Sequence, residues 1–431
     1  MEFDFWSIVL SKTWFSTWES VITVVLSLGV GGGLAILEYF LRIKRSKIFT
    51  GLMVLPIFLP GIVVATGFIV VWGNAGLIND LLKVLGVEQV KFLYSAGAII
   101  AGNCFYNIPL AYLALSSKLA NMHYYLEDQA KVMGASNIKT LLKITWPRIK
   151  NVVIGVGIII FLYSFLSFAL PLVLGGIKYQ TLEVYIYSLI TQQLDLKAAL
   201  ILAGLQFVGL LALILLLSGY LTNQSEKYFN ISKDNNFKNS IFIFTVRILV
   251  LIFILLPIGG VLFKGLGDII NLNSTTYWMG LFNSFWLALC SGAISLGLVF
   301  ILMNTKKDLG KWSLVFLAIS PIALGAGLLY LFGDSVLGML LAYIFLSFPI
   351  NYFLVSSFWK SRPAFFIESI KLLGADWKDE IKIISSYLST TILKALAISI
   401  VFVMGDIAIV SVLAPYKFKT AMSLSYSYLG A

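Results

Sequence analysis

The sequence predicts an all-α protein that crosses a membrane many times. Of its 431 residues, 59% are apolar and only 12% are charged, which is about half the charged share of a soluble domain. Apolar runs of about 18 residues or more recur along the chain, and each can cross a bilayer as a helix. The short alternating segments that are typical of a transmembrane β-barrel are not found in the sequence.

The apolar runs predict ten transmembrane helices, five in a first half (1–225) and five in a second (226–431). In the first half they cover about residues 17–41, 49–72, 94–117, 151–174 and 198–220. In the second half they cover about residues 241–263, 280–303, 312–333, 336–358 and 388–414.

Basic residues gather in four of the loops between these helices. RIKRSK at 42–47 has four basic residues and no acidic one, and loops 118–150, 221–240 and 304–311 also carry Lys or Arg. All four fall on one side if the N-terminus is outside, and that side should be the cytoplasm. This distribution accounts for the net charge of +11 without a nucleic-acid partner.

The two halves repeat each other at an offset of about 240 residues. CFYNIPLAYLALSS at 104–117 aligns with IFLSFPINYFLVSS at 344–357. KYQTLEVYIYSL at 178–189 resembles KFKTAMSLSYSY at 417–428 at an offset of 239. Equivalent segments lie on the same side of the membrane, so the repeat is parallel and predicts a central pathway between the halves. Spans 198–220 and 241–263 have no counterpart in the other half.

One charged segment interrupts the apolar pattern in each half. The first, DQAKVMGASNIKTLLKITWP at 128–147, has Gly134 where a left-handed residue would end a helix and Ser136 where the next helix would be capped. The second, ESIKLLGADWKDEIKIISSY at 368–387, has Gly374 and Asp376 at the same places. Each predicts a helical elbow, which either docks into a groove of a soluble partner or lies on the lipid surface.

The spacing in both elbows resembles the signature of permeases from ATP-binding cassette (ABC) importers. That signature is Glu-Ala-Ala, three residues, Gly, nine residues, then Ile-x-Leu-Pro. The first elbow reads Asp128-Gln129-Ala130, Gly134, then Ile144 to Pro147, and the second has Glu368, Gly374 and Ile384, with Tyr387 in place of Pro. The resemblance implies the type I ABC importer permease fold, with two parallel pseudo-repeats of about five helices, in the bacterial inner membrane.

The resemblance also implies that each elbow is a coupling helix seated in a cleft of a cytoplasmic ATPase, with one ATPase copy per elbow. The residues that it assigns to this contact are Asp128, Ala130, Val132, Met133, Gly134, Ala135, Glu368, Leu372, Leu373, Gly374 and Ala375. The chain has no G-x-x-x-x-G-K-[ST] loop, so ATP and Mg would be bound by the partner ATPase and the permease would not be an enzyme. An external, periplasmic binding protein would deliver the solute.

Two stretches bear on the substrate. Residues 167–190 and 405–431 resemble the corresponding stretches of thiamine permeases, and fused two-half permeases also resemble the ferric-iron importers. The resemblance implies import of thiamine or a close derivative, with ferric iron as the alternative. A rival class is an ion-coupled secondary transporter, but it would need coupling carboxylates or broken helices at the midplane and would leave the elbows unused.

Polar residues inside the apolar runs are candidates for the solute pathway. Asp406 lies within span 388–414 and could attract a thiamine cation, or it could be a structural group bonded to a neighbouring helix. Asn103 and Asn107 are further candidates, although polar residues in spans often join helices. Glu38, near Arg42, predicts an ion pair at the cytoplasmic end. The one histidine, His123, has no Cys or His cluster beside it, so no His/Cys metal centre is expected.

Overall fold

The computed structural model describes residues 2–122, 124–221, 237–268, 275–303, 314–360, 365, 369, 372, 374 and 376–429. His123, Glu368, Leu373 and Ala375 lie outside the described residues. The described part is helical and contains no strand, which confirms the predicted all-α class.

Nineteen α-helices are described. In chain order they are α1 (Glu2–Ser27), α2 (Gly33–Phe40), α3 (Lys47–Leu52), α4 (Gly61–Trp72), α5 (Leu77–Val84), α6 (Ala96–Ala120), α7 (Tyr125–Val132), α8 (Asn137–Thr140), α9 (Trp146–Phe165), α10 (Ala169–Leu174), α11 (Leu182–Thr191), α12 (Leu196–Leu221), α13 (Phe237–Asp268), α14 (Thr275–Met303), α15 (Pro321–Phe332), α16 (Val336–Lys360), α17 (Trp377–Met404), α18 (Ala408–Leu413) and α19 (Ala421–Leu429). Short π-helices at Leu28–Gly32 and Leu141–Thr145 join α1 to α2 and α8 to α9, and 3₁₀-helices at Leu55–Phe58 and Leu314–Ala318 precede α4 and α15.

The chain forms two compact units. The first comprises Met1–Ser188 and Gly209–Asn271, and the second comprises Leu189–Val208 and Leu272–Ala431. In the first unit α1, α6 and α9 pack against one another, and α4 packs against α10 and α13. Helix α13 therefore packs in the first unit although it follows residue 225.

The second unit repeats this arrangement with later parts of the chain. Helices α14, α16 and α17 pack against one another, and α15 packs against α18. Helices α6 and α16 have 25 residues each and begin 240 residues apart, since 336 minus 96 is 240. Helices α10 and α18 have six residues each and begin 239 residues apart. The sequence repeat therefore produces helices of the same length at corresponding places in the two units.

Apolar side chains cover much of the outside of the helices, as a protein dissolved in lipid requires. Leu216 on α12 is 81% exposed and Phe263 on α13 is 76% exposed. Within the described residues nine helical segments are long and apolar enough to cross a membrane. The prediction of many crossings is confirmed.

Four predicted spans are interrupted rather than continuous. Span 49–72 breaks before α4, where Pro60 is extended and cannot continue the preceding turn. Span 312–333 breaks before α15, where Ser320 caps the helix and Pro321 occupies its first position. The α-helical part of this span has only 12 residues and is not among the nine long segments.

Spans 151–174 and 388–414 break near their ends, where the short helices α10 and α18 follow α9 and α17. The first predicted span is wrong at its start, because α1 begins at Glu2 rather than near residue 17.

Candidate functional site

The first elbow is a bend between α7 and α8 that closes with two hydrogen bonds. The Ala135 amide donates to the Ala130 carbonyl at 2.9 Å, and the Gly134 amide donates to the Lys131 carbonyl at 3.0 Å. This pair is the Schellman arrangement, which needs a left-handed residue, and Gly134 has φ +82°. Ser136 Oγ then accepts from the Lys139 amide at 3.3 Å and caps α8. The predicted bend and cap are confirmed.

The bend presents apolar side chains to the outside of the protein. Val132 is 90% exposed and Met133 is 87% exposed, and we call this pair the apolar knuckle. The charged residue Lys131 precedes the knuckle, and Ser136 and Asn137 follow it. An apolar patch rimmed by polar residues is typical of a protein-binding site.

The described residues of the second elbow show the same glycine bend as the first. Gly374 has φ +76°, Leu372 is 87% exposed, and the Asp379 amide donates to Asp376 Oδ1 at 2.9 Å. These three observations match the first elbow in the bend, the exposed apolar side chain and the cap. The other predicted contacts of this elbow, Glu368, Leu373 and Ala375, lie outside the described residues.

Ion pairs fasten the first elbow to the rest of its unit. Asp128 pairs with Arg42, and the Arg42 guanidinium lies 5.1 Å from the centre of the Tyr124 ring. Tyr124 stacks on Tyr39 of α2 with ring centres 4.5 Å apart. Burial raises the pKa of Tyr124 to about 12, so this phenol is neutral at physiological pH. Asp128, which the signature assigns to the partner contact, thus has a partner inside the chain.

A second ion pair lies beneath α7. Glu127 is buried and accepts from Arg148 at 3.0 Å and from Thr145 Oγ1 at 3.1 Å. Thr145 ends the π-helix Leu141–Thr145, and Arg148 lies in the first turn of α9. Sequence reasoning missed this contact, because Glu127 stands just outside the motif and nothing in its neighbourhood indicates burial.

Glu38 anchors α13 to the same unit. It accepts from Arg247 Nε at 2.8 Å and from the Tyr112 hydroxyl at 2.9 Å, and Arg247 also donates to the Lys44 carbonyl at 3.2 Å. The prediction that Glu38 pairs with Arg42 is wrong. A sequence could not reveal the true partner, because Arg247 lies 209 residues away.

The two asparagines proposed for a pathway are buried in the bundle of α1, α6 and α9. Asn103 donates to Glu19 Oε1 at 2.7 Å, and Asn107 donates to the Asn103 carbonyl at 2.9 Å and to Ser164 Oγ at 3.3 Å. Glu19 has no exposed surface and also accepts from Thr23 at 3.2 Å. The network joins three helices through polar groups. Sequence reasoning did not single out Glu19, although a carboxylate within an apolar run is itself a signal.

Asp406 lies in the break between α17 and α18. Its Oδ2 accepts from the Ile409 amide at 2.9 Å and from the Tyr343 hydroxyl of α16 at 3.0 Å. The carboxylate therefore caps α18 and ties it to α16. This geometry matches the alternative in which Asp406 is a structural group bonded to a neighbouring helix. A role in a solute pathway stays a prediction.

Comparison with known proteins places the chain among transport permeases. Residues 24–228 match the family "Binding-protein-dependent transport system inner membrane component". The chain is 25% identical over 448 residues to the thiamine transport system permease protein ThiP of Haemophilus influenzae, covering 96% of this chain and 82% of the relative. The ThiP protein of Escherichia coli K12 is 23% identical over 446 residues, covering 97% and 83%.

A ferric relative matches a shorter part. The putative ferric transport system permease protein FbpB 1 of H. influenzae is 27% identical over 197 residues, which is 45% of this chain and 31% of the relative. Residues 24–228 therefore belong to the family of binding-protein-dependent inner-membrane transport components. The elbows, the repeated helices and the alignments along almost the whole chain agree with a fused two-half transport permease.

Proposed function

We propose that the permease imports thiamine or a close derivative, driven by ATP that a partner ATPase hydrolyses. Alignment with thiamine permeases along almost the whole chain supports this substrate. A separate binding protein would deliver the solute from outside, as the family description implies. No bond in the solute changes, so the permease acts as a path and not as a catalyst.

The apolar knuckle carries the coupling part of the proposal. Val132 and Met133 project from a bend whose backbone is closed by the Schellman hydrogen bonds, so the knuckle keeps its shape when a partner pushes on it. An ATPase groove that buries both side chains would gain roughly 3 kcal/mol or more from their apolar surface. Leu372 and Gly374 offer the same features to a second ATPase copy.

The ion pairs around the first elbow support a rigid transmission of force. Asp128 binds Arg42 near α2, and Glu127 binds Arg148 in α9, so displacement of α7 would move both neighbours. ATP binding would draw the two ATPases together, carry the elbows with them and open the central path outward. Hydrolysis would reset the path inward. ATP and Mg would remain on the ATPase throughout.

Ferric iron is the second candidate substrate, because the ferric permease aligns with 45% of the chain. The two substrates separate in one experiment. The permease, its ATPase and its binding protein are reconstituted in liposomes, and ATP hydrolysis is measured with thiamine or with ferric iron. We expect stimulation by thiamine alone. Stimulation by iron alone would keep the mechanism and replace the substrate.

The coupling proposal is tested with the double variant Val132→Asp, Met133→Asp. We expect it to lose ATPase binding, because a groove that fits the apolar pair would have to bury two carboxylates. Val84→Asp is the matched control, since Val84 is 84% exposed and lies in a predicted outer loop. If the double variant binds the ATPase as tightly as the control does, the knuckle is not the docking surface. Solute uptake driven by protons or sodium without ATP would favour the secondary-transporter class.

A further inference from the structure

One corner of the first unit carries more positive charge than its own carboxylates neutralise. Glu38 pairs with Arg247 and Asp128 pairs with Arg42. Arg45 and Lys47 stand in the same basic loop, and no carboxylate of the described residues pairs with either of them. The corner therefore has two cations available for an anion from outside the chain.

Arg45 and Lys47 line an open cavity of about 430 Å³ together with Thr50, Gly51 and Val54. The Arg45 guanidinium lies over the ring of Tyr112, with its central carbon 6.0 Å from the ring centre. Arg45 Nε is buried, yet it has no hydrogen-bond partner among the described residues. A buried donor without an acceptor is unfavourable, so the site is incomplete as it stands.

The cavity lies between two apolar segments, at a place where a membrane boundary is expected. It follows the end of the membrane-crossing segment Phe5–Phe40 and opens at the start of the apolar segment Lys47–Phe58. Ile48 in that segment is 77% exposed, and Leu55 and Phe58 are 40% and 45% exposed. Cationic groups at a membrane boundary, followed by exposed apolar side chains, match the two parts of a phospholipid.

We propose that this cavity binds the headgroup phosphate of an anionic phospholipid. The phosphodiester would pair with the Arg45 guanidinium and the Lys47 ammonium, and the acyl chains would lie along Ile48 and the exposed side chains that follow it. Arginine suits this role because its planar donors match phosphate oxygens. An anionic lipid supplies net negative charge that would neutralise Arg45 and Lys47, whereas a zwitterionic lipid has no net charge.

The test measures lipid binding by the purified full-length permease in detergent, using native mass spectrometry with dioleoyl phosphatidylglycerol. Each basic residue near an anionic headgroup contributes about a factor of five in affinity, so the Arg45→Gln, Lys47→Gln variant should bind about 30-fold more weakly. The matched control is Lys139→Gln, Lys143→Gln, which removes the same charge from exposed residues on the same predicted side. We expect the control to bind like the unmodified protein.

Two further arms make the result decisive. Dioleoyl phosphatidylcholine should bind far more weakly than phosphatidylglycerol, and inorganic phosphate in the millimolar range should not displace the bound lipid. Equal loss in both double variants would overturn the proposal, since it would show a general charge effect. Displacement by phosphate alone would also overturn it, because the cavity would then be a site for a free anion. Lys47→Gln alone, at an exposed residue, gives a milder variant and should still weaken binding about fivefold.

Discussion

At the residue scale, Gly134 is required for its backbone conformation and not because neighbouring side chains leave no space. Apart from its two chain neighbours, no residue has a heavy atom within 4 Å of the place where a Cβ would stand. Replacing Gly134 therefore creates no clash, and only the positive φ opposes a side chain. Substitution at this glycine separates the shape of the bend from the chemistry of the knuckle.

We expect Gly134→Val to weaken ATPase binding about 5- to 30-fold, because an L-residue in the left-handed region costs about 1–2 kcal/mol and a β-branched one is least tolerant. Gly134→Asn is the control, since Asn adopts this region more readily. The measurement is the dissociation constant of the ATPase with each variant. Equal affinities for Val and Asn would show that the conformation at residue 134 does not matter for docking.

Asp406 can act as a cap of α18 or as a charge in the solute pathway, and two variants of this residue separate these roles. Asn caps a helix about as well as Asp, so Asp406→Asn should keep the thermal stability of the permease, whereas Asp406→Ala should lose about 1–2 kcal/mol. If the carboxylate only caps α18, Asp406→Asn also keeps thiamine uptake. Loss of uptake with unchanged stability would instead assign the charge to the pathway.

At the element scale, two of the ion pairs of the first unit have different surroundings. The Glu38 and Arg247 side chains are 5% and 12% exposed, whereas those of Asp128 and Arg42 are 47% and 32% exposed. Removal of one partner from a buried pair leaves an uncompensated charge, while water screens a pair at the surface. The buried pair therefore matters more for how α13 is held.

We expect Arg247→Met to destabilise the permease by about 3 kcal/mol or more and Arg42→Met to destabilise it by about 1 kcal/mol or less. Thermal unfolding of the purified proteins gives both values. A larger effect for Arg42→Met would mean that the elbow contact, and not the α13 contact, supports the unit.

The sequence predicted most elements but not where helices are interrupted. Apolar runs locate a span because hydropathy averages over many residues, and the same averaging hides a break of two or three residues. Pro60 and Pro321 explain two of the four breaks, since proline starts a helix easily and continues one poorly. The glycine bends were predictable because one residue type at one position sets the conformation. The partners of Glu38 and Glu127 were not predictable, because they depend on how distant segments pack.

At the scale of the whole molecule, the predicted orientation can be tested with single cysteines. Val132→Cys on the first elbow should react with a membrane-impermeant maleimide only after cells are permeabilised, and Val84→Cys should react in intact cells. Both positions are at least 84% exposed, so access is not limiting. Cys104 is buried and Cys290 is half-buried, both in apolar helices, and the unmodified protein supplies the background. Reversed labelling would place the elbows outside and remove the ATPase from the proposal.

The two halves have diverged in how their short terminal helices start. The Asp406 carboxylate accepts a hydrogen bond from the Ile409 amide in the first turn of α18. Helix α10 has Ser167 at the matching position and no side-chain cap. A cap contributes about 1 kcal/mol, so amide hydrogens in the first turn of α10 should exchange with deuterium about fivefold faster than those of α18. Equal exchange would show that burial outweighs the cap. If α10 exchanges faster as expected, two segments of equal length open on different timescales within one chain, and the duplicated halves differ in local dynamics even where their helices match.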